Sequence, residues 1–74
     1  MTAEEIRHKI LAGLPEAEVD VQGDDGVHFQ AVIVSERFRG LSRVQQHKLI
    51  YQTLGNAFDG ALHALALTTR VPEG

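Results

Sequence analysis

A chain of 74 residues with 43% apolar content makes one domain, residues 1–74, whose core must be small and well filled, since chains of about this size bury only about 60% of their unfolded surface. The net charge of -3 argues against a general nucleic-acid binder, and the absence of cysteine excludes disulfides, thiol nucleophiles and any thiolate metal site built by this chain alone. No apolar run approaches the roughly 18 residues of a membrane span and the N-terminus carries no charged-then-apolar leader, so a cytoplasmic protein is expected.

Thr2, with Glu5 three residues on, reads as a capping box that opens a first helix. Ala3, Ile6, Ile10 and Leu14 give that helix one apolar edge, with Leu11 alongside, and Gly13 and Pro15 mark its end. His8 falls off the edge and is read as solvent-facing. Ala17 to Gln22 alternates apolar and polar residues, the period of a half-exposed strand. Gly23 to Gly26 then form a turn in which glycine supplies positive φ. Val27 to Ser35 is dense in β-formers and completes an antiparallel hairpin. Its nearly all-apolar AVIV run predicts a central strand, covered on at least one face and flanked on both edges.

A short basic turn carrying Phe38 and Gly40 leads into the main helix. Ser42 is its N-cap and Gln45 completes a second capping box. Val44, His47, Tyr51 and Leu54 form an apolar stripe, with Leu41 ahead and Ile50 beside it. Gly55 and Asn56 loosen the chain, Phe58 closes the core, and Asp59 with Gly60 turns into a third strand, Ala61 to Thr69, that holds His63 at its mouth. Arg70 and Pro72 end it. The result is an α+β fold, a three-stranded mixed sheet with helices packed on one face, in which the long connection after strand two permits a parallel third strand.

Charge is distributed unevenly along the chain. Residues 1–25 hold seven acids against Arg7 and Lys9, whereas Glu36 to Lys48 holds Arg37, Arg39, Arg43 and Lys48 against Glu36 alone. These four cations are the candidate partner-docking residues, set against the plainer reading of solvated charge around a helix start. His47, on the apolar stripe, is read as a structural imidazole that fixes the helix to the sheet through a hydrogen-bond partner.

The string from Val34 through Phe38, Gly40, Ser42, His47 and Tyr51, followed by His63-Ala64-Leu65, resembles the BolA family over nearly the whole chain. The resemblance implies a fold like the type II KH domain, αββααβ, with Glu36 to Arg39 as a one-turn helix. It also implies a partnership with monothiol glutaredoxins, in which the two proteins hold a bridging [2Fe-2S] cluster with glutathione, and a separate role as a transcriptional regulator. His63 matches the family's cluster-ligating histidine. The family takes a second ligand from the loop between the first two strands, where His28 is the only candidate. Two departures stand out: Gln46 replaces the family's usual basic residue before the helix histidine, and the chain stops at Gly74 without the longer family tail.

The ligand chemistry fits such sharing. Each iron of a two-iron cluster needs two protein or thiol ligands, and imidazole can replace thiolate on one iron. A chain with four histidines and no cysteine supplies only that half. The alternative is nucleic-acid contact through the basic turn and the second helix. KH domains use a G-x-x-G loop for this, yet the only one here is Gly23 to Gly26, which contains two aspartates. No P-loop, zinc-protease motif or nucleophile relay supports an enzyme.

Overall fold

The computed structural model describes residues 2–23, 28–55 and 65–73. Helix α1 spans Ala3–Gly13, strands β1 and β2 span Glu18–Gln22 and Phe29–Val34, a single 3-10 turn covers Glu36–Phe38, helix α2 spans Arg43–Leu54 and strand β3 spans Leu65–Arg70. Both expected capping boxes form. Thr2 Oγ1 accepts from the Glu5 N–H and Ser42 Oγ from the Gln45 N–H, while each partner side chain accepts from the cap's own N–H.

The sheet order is β1-β2-β3. β1 and β2 run antiparallel, with Glu18 opposite Val34 and Gln22 opposite Gln30, and β3 lies parallel to β2, with Phe29 opposite Leu65 and Val34 opposite Arg70. β2 is thus the central strand its apolar run predicts. Its alternation divides it cleanly: Phe29, Ala31 and Ile33 are buried, while Gln30 and Val32 face outward. The inward set packs with Ile6, Ile10 and Leu14 of α1, with Ile50 and Leu54 of α2, and with Phe38. The other face of the sheet presents Glu18, Asp20, Gln30, Val32, Ala66, Thr68 and Arg70 to solvent. Among the described residues no helix is long and apolar enough to cross a membrane.

Two expectations need correction, at Val44 and at Gly23. Val44 is 64% exposed and not part of the buried stripe of α2, which centres on Ile50 and Leu54. At roughly 100° per residue Val44 lies about a quarter turn from the middle of that stripe, outside the face that packs into the core. Gly13 ends α1 as expected, without a positive φ. A Cβ there would meet Thr53 Cγ2 at 2.4 Å, so the glycine lets α1 and α2 cross closely. Gly23 likewise lacks positive φ, and its missing side chain leaves space for the ring of Phe29, whose Cδ1 would otherwise sit 2.4 Å away. Among the described residues the positive-φ positions are Gly40 at φ 83° and Gly55 at φ 59°. Asp24 to Val27 of the hairpin turn, Asn56, Phe58, Asp59 and Gly60 of the second connection, and Ala61 to Ala64 of the third strand lie outside the described residues.

Candidate functional site

The parallel register brings the beginnings of β2 and β3 side by side, Phe29 against Leu65. His28 is exposed and immediately precedes β2. His63 lies outside the described residues, two positions ahead of Leu65 in the sequence. No group of three or more histidine, cysteine, aspartate or glutamate side chains that could hold a metal occurs among the described residues. The imidazole that the described residues place at this end of the sheet is that of His28, which is exposed to solvent.

The basic turn is a fastened structure. Ser35, 1% exposed, caps it by accepting from the Arg37 N–H, donates its hydroxyl to Glu16 Oε1 at 2.5 Å, and gives its N–H to the Arg70 carbonyl. Phe38 is fully buried beneath, and Gly40 supplies the left-handed step that takes the chain on to Ser42. Arg39 is held by a two-pronged pair with Glu36 and by the Pro72 carbonyl at 3.4 Å. The Arg39 hydrogen bond holds the Glu36 carboxyl below its ordinary range, and the same bond raises the guanidinium. Arg37, Arg43 and Lys48 are exposed and make no ion pair among the described residues. Of the four candidate docking cations, Arg39 is thus already engaged. The spacing Glu36 to Arg39, three residues apart in a helical turn, was the available signal for that pair.

His47 is half-buried and lines an open groove of about 270 Å³ with Arg43, Leu67, Thr68 and Thr69. It has no hydrogen-bond partner among the described residues. Its neighbour Gln46 does the fastening expected of the histidine: the amide nitrogen donates to the carbonyls of Phe38 and Leu41, and the amide oxygen accepts from the Thr69 hydroxyl. Gln46 therefore ties the basic turn, α2 and β3 together. Nothing local in the sequence marks it, because its acceptor and donor partners lie on other elements. Tyr51 is half-buried against the core, and its carbonyl accepts from Gly55 at the end of α2.

Comparison with known proteins bears on the same residues. The family model for BolA-like protein matches residues 5–74. The UV-induced protein uvi31 of Schizosaccharomyces pombe is 40% identical over 62 residues, 84% of this chain and 54% of that protein. The chain spans about half the length of the curated relatives it matches. Among solved structures, a bolA protein homologue from Coxiella burnetii superposes with TM-score 0.82 at 37% identity, covering 97% of this chain and 92% of that one. The BolA domain of SufE1 from Arabidopsis thaliana gives TM-score 0.78 at 36% identity over 95% of this chain and 91% of that one. A family match that leaves out only the first four residues, on a fold shared with relatives above one-third identity, makes this chain a member of the BolA-like protein family.

Proposed function

We propose that this domain is a non-enzymatic adaptor of the cytoplasm that binds a monothiol glutaredoxin and supplies histidine to a [2Fe-2S] cluster bridging the two proteins, in cluster trafficking or iron regulation. The observation that carries the reading is the accessible His28 at the end of the sheet where β2 and β3 begin together, in a chain that owns no cysteine. His63, two residues of chain from Leu65, is the first ligand in this reading, and His28 the second. When bound, the cluster would supply the redox-active iron, while this chain's part is to present imidazole ligands to it. Arg37, Arg43 and Lys48 are the cations left for the partner's surface.

The test is anaerobic mixing with a monothiol glutaredoxin and glutathione, followed by visible absorption and circular dichroism. The mixed complex is expected to give a spectrum distinct from that of the glutaredoxin alone, and His63→Ala to abolish the difference. A His63→Ala protein that retains the mixed spectrum overturns the assignment. The three unpaired cations also favour a second reading, a transcriptional regulator that contacts nucleic acid through the basic turn and α2. A mobility shift that survives physiological salt and disappears on reversing those charges would bring that reading to the front.

A further inference from the structure

β3 is an edge strand. The Arg70 carbonyl accepts from the Ser35 N–H on the β2 side, so by strand alternation the peptide groups of Ala66, Thr68 and Arg70 point to β2 and those of Leu67 and Thr69 point outward. No described residue bonds to that outer edge. Along LALTTR there is no proline or lysine, and the one charged residue, Arg70, stands at the strand's end, beyond the Leu67–Thr69 stretch. Beside it stand the first turns of α2, with Arg43 exposed and unpaired and His47 half-buried at the groove wall. No carboxylate of the described residues lines the groove.

We propose that the groove between α2 and the free edge of β3 takes an extended acidic peptide segment, which adds to the Leu67–Thr69 edge as a strand and sets one carboxylate against Arg43. Strand addition draws its affinity from backbone hydrogen bonds and its specificity from pockets for alternate side chains. At about 270 Å³ the groove is below the usual size of a cofactor pocket and suits a side chain or two beside the strand. A nucleic acid is disfavoured because the groove offers one arginine in a chain of net charge -3, too little for phosphate neutralisation along a backbone. The site begins two positions beyond Leu65, roughly 7 Å along the strand, and leaves the His28 end of the sheet uncovered. It is therefore separable from the histidine role.

The experiment pans a random short-peptide library against the immobilised chain and titrates the enriched synthetic peptides into isotope-labelled protein. Enriched peptides are expected to carry Asp or Glu among β-formers and to shift the amides of Leu67 and Thr69 most. N-methylation of the peptide's edge-facing amides should abolish binding. Arg43→Glu is expected to weaken it about tenfold, with affinity regained by a peptide bearing Lys in place of its acid. An acid at the first helical position suits the helix dipole, so this variant keeps its fold. Peptides without an acid, shifts centred on the open sheet face, no enrichment at all, or an oligothymidylate that moves the same amides at lower concentration would each overturn the proposal.

Discussion

Gln46 touches the Phe38 and Leu41 carbonyls and the Thr69 hydroxyl with one side-chain amide, and three elements meet there. Truncating it leaves part-buried polar groups without partners, which costs about 1–3 kcal/mol. Gln46→Ala is expected to lower the urea midpoint by that measure with the slope unchanged, whereas His47→Ala should cost less, because its ring makes no such bonds. Equal losses would remove Gln46 from its role. The pair of Glu36 and Arg39 acts differently, since it lies on the surface. Its carboxyl is depressed by the Arg39 hydrogen bond, so its contribution is complete above the unfolded carboxyl's range and is lost as pH falls through the lower folded value. A carboxyl-carbon titration is expected to show the Glu36 midpoint below that of a free glutamate, returning to it in Arg39→Gln and moving part of the way in high salt. An unchanged midpoint in that variant would mean that another group perturbs Glu36.

Between elements, one tight constraint is the crossing of α1 and α2 at Gly13 and Thr53. Thr53 cannot simply swing aside, because its hydroxyl donates to the Ile50 carbonyl at 2.6 Å. Gly13→Ala is therefore expected to destabilise by about 1–3 kcal/mol through overpacking. In a Thr53→Ser background the obstructing methyl is gone, and the same substitution should become neutral or gain up to about 1 kcal/mol from alanine's better helix propensity. Equal cost in both backgrounds, read from paired thermal melts, would refute the crossing as the reason for the glycine. The residue was visible in the sequence as a helix stop. Its cause was not, since Thr53 is 40 positions away and nothing local links the two.

At the scale of the whole molecule, stability for 74 residues is expected at about 4–11 kcal/mol, and Phe38 is a large part of the small core that supplies it. Phe38→Ala should remove about 3–5 kcal/mol, enough to leave the chain marginal, and the far-ultraviolet melting midpoint reports it directly. A midpoint that barely moved would show that the turn does not anchor the fold. The same scale separates what was readable from what was not. Both capping boxes, the alternation of β1, the central place of β2 and the lack of sulfur ligands follow from residues within a few positions of each other, or from composition alone, and each was legible in the sequence. The side of α2 that meets the sheet, the use of Gln46 over His47, the reasons for Gly13 and Gly23, and the free outer edge of β3 were decided only in three dimensions. They depend on partners such as Gln46 and Thr69, 23 residues apart, whose meeting is set by how the helices settle on the sheet and not by local preference.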